Sequence, residues 1–397
     1  MKILALTWKH PQDPTAGGAE KYLVEVVRRW VDAGHEVTVF GPQAPAHSQV
    51  APANSQDTMG YRYLGVGSRL TVFQTARRYL RANAQLYDRV LETVSTKPFA
   101  AHRMVGAKAV ALYHQTAEEV WNLEFSQPIA LLGRHLLEPM WVHRMRHAQV
   151  VANSPSTAAA LGRFGVTCSS IVPPGCDFPA DARSRTAPSP KPQLLWVGRL
   201  VRAKRPEDAV AAVAHIRTRF PSAHLDLVGG GYLRPHLADA LAAGVTVHGH
   251  LPDAQKHRLF QCADLLLLPG TREGWGIVAM EAAAYGVPTV AYDIPGLRDS
   301  VIDGITGILV EPHSEALAAA AIAVLSDHGL WRELSEQARE RARRFSWDRT
   351  ATELLSILSL SGTTAQDTAA SAGSLPIRRP AWRMRAQKLK TALPWLP

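Results

Sequence analysis

Leu265–Ala284 reads LLLLPGTREGWGIVAMEAAA. Four consecutive leucines closed by Pro269–Gly270 read as a strand buried on both faces. A glycine-rich turn follows, and a helix starts near Ile277. Strand, turn and helix in this order form the βα unit of a parallel α/β sheet, where ligands collect at the carboxyl ends of strands. The amides of Gly276, Ile277 and Val278 would point out of the helix start, where a diphosphate can bind. Glu273 lies in the turn. Glu281 lies about one turn into the helix and leans back toward its start. Carboxylates repel phosphate but accept hydrogen bonds from hydroxyls. Two of them flanking a phosphate site suit a ligand with hydroxyls on both sides of its phosphates. A plain surface loop for Glu273 and a helix-dipole role for Glu281 remain open on these residues alone.

The same alternation runs outward in both directions. Lys2–Trp8 reads as a first strand, followed by a glycine loop, a helix over Glu20–Ala33 ended by Gly34, and a strand at Glu36–Phe40. Further strands are expected at Ala109–Tyr113 and Gln149–Ala152. A second series is expected at Leu194–Val197, Leu225–Val228, Val245–Val247, Leu265–Leu268, Thr289–Ala291 and Gly307–Leu309. The Pro-, Ala- and Ser-rich stretch Phe178–Lys191 separates the two series. The expected division is an N-terminal domain over 1–178, a linker over 179–191, a C-terminal domain over 192–345, a helix over 346–360 crossing back to the first domain, a low-complexity linker over 361–375 and a basic tail over 376–397.

The net charge is +10, with 46% hydrophobic and 20% charged residues. Six basic residues and no acidic one follow Pro376, so the rest of the chain carries only +4. That distribution argues against a nucleic-acid-binding face. Cys168, Cys176 and Cys262 have no CxxC spacing and fit a reducing compartment. No signal-peptide pattern opens the chain, and the longest apolar run, Ala316–Leu325, is short of the roughly 20 residues that span a bilayer. A cytoplasmic protein is expected. Trp382, Ala386, Leu389 and Leu393 of the tail fall at helical spacing among Arg and Lys residues, which suits an anionic membrane surface at the inner face of the plasma membrane, with a disordered basic tail or a helix docked on the protein itself as the alternatives. Thr71–Ala82 (TVFQTARRYLRA) is a second such stretch, with an ordinary structural helix as the alternative.

Two further motifs bear on chemistry. Gly17–Gly18, in AGGAE, follows a strand and loop and opens a helix, so backbone amides there can approach a phosphate or a sugar. A tight turn without a ligand fits equally. Gly198–Arg199 and Lys204, in VGRLVRAK, place two cations at a strand end and in the loop after it. An Arg can grip phosphate oxygens through two N–H groups, and a Lys adds a point charge. No GxGxxG occurs, so the dinucleotide fingerprint is absent.

From Lys2 to Leu360 the sequence resembles the GT-B glycosyltransferases of the retaining family 4. The resemblance rests on GGAE (Gly17–Glu20), AGHEVTVF (Ala33–Phe40), VGRLVRAK (Val197–Lys204), the Glu273-x7-Glu281 pair and VPTVAYDIPGLRDSVIDGITGILVEP (Val287–Pro312). It implies an α/β fold of two Rossmann-like domains facing each other across a cleft. It implies that Gly17 and Gly18 lie by the donor diphosphate and sugar, with Gly198, Arg199 and Lys204 at the phosphates. Glu273 would hold sugar hydroxyls, and Glu281 the ribose. His250 and Leu251 would flank the base, and His114 the transferred sugar. Glu92–Phe99 falls where related sequences vary with the acceptor.

The reaction so implied is retaining transfer of a hexose from a nucleotide-diphosphate sugar to a glycan or lipid-linked acceptor, in cell-surface glycan synthesis. No cofactor is expected. No Asp-x-Asp pair occurs in the chain, so Arg199 and Lys204 would stand where a metal otherwise would. A nucleotide-sugar epimerase of the same architecture and a non-catalytic nucleotide-sugar-binding subunit are the alternatives.

Overall fold

A computed structural model of the chain describes residues 1–43, 60–178, 185–239 and 244–360. The basic tail 376–397, the low-complexity stretch 361–375 and part of the linker 179–191 lie outside the described residues.

The strands are β1 (Lys2–Leu6), β2 (Glu36–Gly41), β3 (Arg62–Gly65), β4 (Arg89–Val94), β5 (Ala109–Tyr113), β6 (Gln149–Ala152) and β7 (Ser170–Ile171) in the N-terminal half. The C-terminal half holds β8 (Gln193–Val197), β9 (His224–Val228), β10 (Val245–Gly249), β11 (Leu265–Leu268), β12 (Thr289–Tyr292) and β13 (Gly307–Val310). They form two sheets, in the orders β3-β2-β1-β4-β5-β6-β7 and β10-β9-β8-β11-β12-β13. Every pairing is parallel. Each half therefore starts in the middle of its sheet, winds outward and returns to the other side of its first strand. The switch points lie between β1 and β4 and between β8 and β11. The carboxyl ends of strands beside such a point open a crevice.

Helices cover both faces of the sheets, which is why the central strands are apolar without alternation. Leu194, Leu195 and Trp196 of β8 and all of β11 are buried. Trp331 donates its indole N–H to Asp264 O at 2.8 Å, tying the later helix His328–Ala342 to the start of β11.

The last described helix, Trp347–Leu360, follows the C-terminal half but packs on the N-terminal one. Trp30 donates to Ala351 O at 2.9 Å, and Arg89 to Ser359 O at 2.9 Å. Leu354 and Leu358 are fully buried there. Each buried leucine contributes about 1.5–3 kcal/mol as an upper figure. The two chain crossings between the halves touch: Cys176 N–H donates to Phe345 O at 3.2 Å, and a Cβ on Gly175 would lie 2.2 Å from Trp347 N.

Several expectations need correction. β1 ends at Leu6, so Trp8 belongs to the loop. The first helix runs Gly18–Asp32 rather than Glu20–Ala33, because Gly17 is its extended N-cap and the Glu20 carboxylate folds back to accept the Gly17 N–H at 2.7 Å. Strands β3, β4 and β7 were not anticipated. Glu92 sits in β4 and is fully buried, accepting from Ala100 and Ala101 N–H at 2.9 and 3.1 Å. Burial pushes its carboxyl up to about 7 against those donors. The Thr71–Ala82 stretch is an ordinary structural helix, Val72–Asn83. Val72, Ala76 and Leu80 are buried, and Phe73 packs on Phe99 with centroids 4.7 Å apart. The sheet already covers its apolar face.

Candidate active site

Four loops leave carboxyl ends of strands and converge between the halves: those after β1, β5, β8 and β11. Gly17 and Gly18 come from the first. A Cβ on Gly17 would lie 3.8 Å from Arg199 Nε, and one on Gly18 would lie 3.2 Å from Ile277 Cδ1. The Gly17–Gly18 turn thus faces both Arg199 and the helix Ile277–Ala284 across the cleft. Gly276 caps that helix with φ +88°, and a Cβ there would meet Leu297 and Ser300 at 2.8 and 3.0 Å. Gly is required on both counts. The first amides beyond this cap have no carbonyl one turn back to donate to. Val278 is half-buried against the C-terminal core.

Arg199 follows Gly198 at the end of β8. Its guanidinium has no hydrogen-bond or ion-pair partner among the described residues. Lys9, in the loop after β1, shares this space. It is buried and donates to Thr15 O at 2.8 Å. Burial lowers its pKa, Glu20 opposes that, and the Arg199 charge lowers it further. Two cations in one space suit an anionic ligand. Lys9 was missed in the sequence, where a single Lys after Trp8 carries no signal.

Lys204 ends the short turn Arg202–Lys204 and forms an ion pair with Glu273. The turn is held on both sides: Ala203 N–H donates to Glu124 Oε1 of the N-terminal half at 2.9 Å, and Ala203 O accepts from Thr271 N–H at 2.9 Å. Glu281 pairs with Lys21 from the first helix, and Lys256 Nζ lies 3.6 Å from the same carboxylate oxygen. Burial alone would raise the Glu281 pKa, but Lys21 and Lys256 outweigh it and hold it below the usual range. Both carboxylates are therefore engaged by lysines, which the sequence did not reveal.

His114 follows β5. Its ring is buried, with the edge of Tyr22 against it at a centroid distance of 5.3 Å, and its Nε2 has no hydrogen-bond partner among the described residues. Burial lowers its pKa to about 3, so the imidazole is neutral. An orphaned buried ring nitrogen in a cleft is an unfilled donor or acceptor for a ligand hydroxyl. The backbone around it is tight. A Cβ on Gly274 would lie 2.0 Å from His114 O, and one on Gly296 2.1 Å from Glu273 O.

Arg272, next to Glu273, closes the halves together. It is buried and donates to Thr116 O at 2.6 Å and to Glu118 Oε1 at 2.7 Å, and lies 3.3 Å from Glu119. Nothing in the sequence separated it from any other loop arginine. His250 is exposed, and its Nε2 would lie 2.5 Å from a Cβ on Gly230; Leu251 is half-buried. Gly229–Gly231 was also missed. A Cβ on Gly229 would lie 1.8 Å from Gly198 O, and one on Gly231 2.2 Å from Leu200 O, so this glycine run lets the loop after β9 lie on the Arg199 loop.

Residues 16–178 match Glycosyltransferase Family 4, and residues 177–345 match Glycosyl transferases group 1. A D-inositol 3-phosphate glycosyltransferase from Nocardiopsis dassonvillei is 33% identical over 400 residues, covering 87% of this chain and 90% of its own length. The chain belongs to the family 4 glycosyltransferases. A Mycobacterium tuberculosis glycogen synthase is 27% identical over 89% of this chain and 93% of its own length. With a D-inositol 3-phosphate glycosyltransferase from Xylanimonas cellulosilytica the match is 34% over 214 residues, and the chain spans about half (50%) of that relative. The GT-B fold is shared with solved glycosyltransferases. Sucrose-phosphate synthase from Thermosynechococcus elongatus superposes with a TM-score of 0.73 at 24% identity, over 90% of this chain and 98% of that one. Anabaena HepE, solved with UDP and glucose, gives 0.67 at 20% identity over 90% and 99%. Among the described residues of this glycosyltransferase, no helix is long and apolar enough to cross a membrane, and no three His, Cys, Asp or Glu residues form a metal-holding group.

Proposed function

We propose that this glycosyltransferase takes a hexose from a nucleotide-diphosphate sugar and places it, with retention of configuration, on a hydroxyl of a lipid-linked or polysaccharide acceptor in cell-surface glycan synthesis. One observation carries the reading: Arg199, without a hydrogen-bond or ion-pair partner among the described residues, faces Gly17, and the adjacent Gly18 faces Ile277 at the start of the helix Ile277–Ala284. Charge, backbone amides and helix end favour the same anion. HepE was solved with UDP and glucose, which makes UDP-sugars the first donors to test.

In this reading the donor diphosphate lies between Arg199, Lys204 and the two glycines. Glu273 holds hydroxyls of the sugar, and Glu281 holds the ribose. His250 and Leu251 flank the base. His114, neutral, faces the sugar. The bond from the anomeric carbon to the diphosphate oxygen breaks, the acceptor oxygen bonds that carbon from the same face, and the acceptor proton passes to the leaving diphosphate. The side chains position the reactants and neutralise developing phosphate charge. The lysine partners of Glu273 and Glu281 favour this over double displacement, because a carboxylate locked to a cation is a poor nucleophile. No metal takes part in the proposed step, and the enzyme works at the cytoplasmic face.

The test is a nucleotide-sugar panel with and without candidate acceptors, with EDTA and Mg²⁺ arms and product NMR for anomeric configuration. Expected are donor-specific release of nucleotide diphosphate, transfer with retention, and indifference to EDTA. An epimerised donor in the absence of acceptor would favour the epimerase alternative. Tight donor binding with no turnover on any acceptor would favour a binding subunit.

A further inference from the structure

The strongest feature outside the cleft is a segment of the N-terminal half after the His114 loop. Phe125, Ile129, Leu131, Leu132 and Leu136 are each 47–58% exposed. Five of the 13 exposed large hydrophobics among the described residues thus fall within 12 positions, which makes them a patch rather than scatter. Phe125 ends the short helix Val120–Glu124, and the other four lie on the consecutive helical segments Gln127–Leu132 and Gly133–Leu137. Ile129, Leu132 and Leu136 recur at the spacing of one helix face, and the extended Phe125 precedes them. The opposite face is spoken for. Ala130 and Gly133 are buried, a Cβ on Gly133 would lie 2.2 Å from Trp121, and Glu138 accepts from Glu118 N–H and Trp121 Nε1 at 2.9 Å each. Glu138 thereby fixes the patch to the loop that Arg272 clamps, at the mouth of the cleft.

Charge completes the pattern. Between Phe125 and Gln149 the one acidic residue is Glu138, and it is buried. Arg144 and Arg146 are exposed, and neither pairs with a carboxylate among the described residues. Exposed apolar side chains bordered by unneutralised cations match an anionic lipid surface, with the leucines entering the interface and the arginines at the headgroups. A second copy docked face to face would bring the same arginines to a stretch whose one acidic residue, Glu138, is buried, so it offers them no partner. The chain's own basic tail carries the same sign, so charge disfavours it as the occupant.

We infer that the Phe125–Arg146 surface is a lipid-docking face, which holds the acceptor side of the cleft against an anionic bilayer so that a lipid-borne acceptor enters beside His114. The entry of the acceptor rests on the transfer reading. The docking itself does not, and a vesicle experiment separates the two. Full-length protein is floated with phosphatidylcholine vesicles and with vesicles that also contain phosphatidylglycerol. Binding to the anionic vesicles alone is expected. It falls roughly tenfold or more in Leu132→Glu/Leu136→Glu and in Arg144→Glu/Arg146→Glu, while melting temperature and donor hydrolysis stay at wild-type levels. Lys388→Glu/Lys390→Glu in the tail leaves most of the binding. Three outcomes overturn the inference: patch variants that bind as wild type, equal binding to neutral vesicles, or binding that depends on the tail alone. A wild-type dimer that dissociates in Leu132→Glu/Leu136→Glu, with no vesicle binding, also overturns it and makes the patch a protein interface.

Discussion

Lys21 and Glu281 stand 260 positions apart in sequence and form an ion pair across the cleft. The pair is mostly buried, and Lys256 stands behind it on the Glu281 side. Removing Lys21 leaves Glu281 one cation, whereas removing Glu281 leaves two lysines facing each other. Glu281→Ala should therefore lower the melting temperature more than Lys21→Met. The expected cost is about 1–3 kcal/mol, below the full figure for breaking a buried pair because Lys21 is partly exposed. Calorimetry of both variants checks the order. If Glu281 also grips the donor ribose, its variant alone raises the donor KM by roughly tenfold or more.

Arg199 offers the sharpest separation of function from stability. Its side chain has no hydrogen-bond or ion-pair partner to lose among the described residues, so Arg199→Ala should change stability by no more than about 0.5 kcal/mol. Its loss from a diphosphate site should lower kcat by about 10²–10³-fold. Lys204→Ala should lower turnover comparably but also release Glu273, so it carries a stability change. Parallel denaturant titrations and steady-state rates test this. An Arg199→Ala enzyme of normal activity would remove Arg199 from the site.

His114 gives a pH expectation. Its folded pKa of about 3 lies below the ordinary 6.5. The unfolded chain therefore binds the extra proton first, and stability declines as pH falls from about 6.5 toward 3. The contribution is fully present above 6.5. His114→Gln should flatten that part of the stability profile while lowering kcat/KM. Any activity limb near pH 6–7 should survive the substitution, because His114 does not titrate there. Thermal melts at pH 4, 5.5 and 7.5 measure the first effect.

Glycine substitutions test the cleft backbone. Gly274→Ala would drive a Cβ into His114 O, and Gly296→Ala one into Glu273 O at a φ of +86°. Each should destabilise by more than about 2 kcal/mol and reduce donor affinity. Gly162 lies in the helix Pro155–Gly162, and nothing would lie within 4 Å of its Cβ. Gly162→Ala should stabilise by about 0.4–1 kcal/mol without touching activity. Urea denaturation of the three variants distinguishes them.

What the sequence disclosed was local. Gly17–Gly18, Arg199 with Lys204, and Glu273 with Glu281 each belong to one strand–loop–helix unit, whose spacing fixes which residues reach the strand end. β3 and β7 escaped because each is only two to four residues long, and β4 because buried Glu92 interrupts its apolar run. The partners of Glu273 and Glu281, the clamp by Arg272 and the crowding of Lys9 by Arg199 depend on which loops meet. That is decided by two switch points and the packing of two sheets, and no window of sequence contains it. The exposed stripe at Phe125–Leu136 was likewise hidden, since apolar residues at helical spacing normally signal a buried face.

The return of Trp347–Leu360 to the first half has a mechanical consequence. Two covalent crossings pass between the halves, and they lie side by side, joined at Cys176 and Phe345. Two tethers at one point forbid sliding and twisting but permit rotation about the line through them. A swing that opened the far side of the cleft about that line would have to break the Lys21–Glu281 and Arg272–Glu118 pairs.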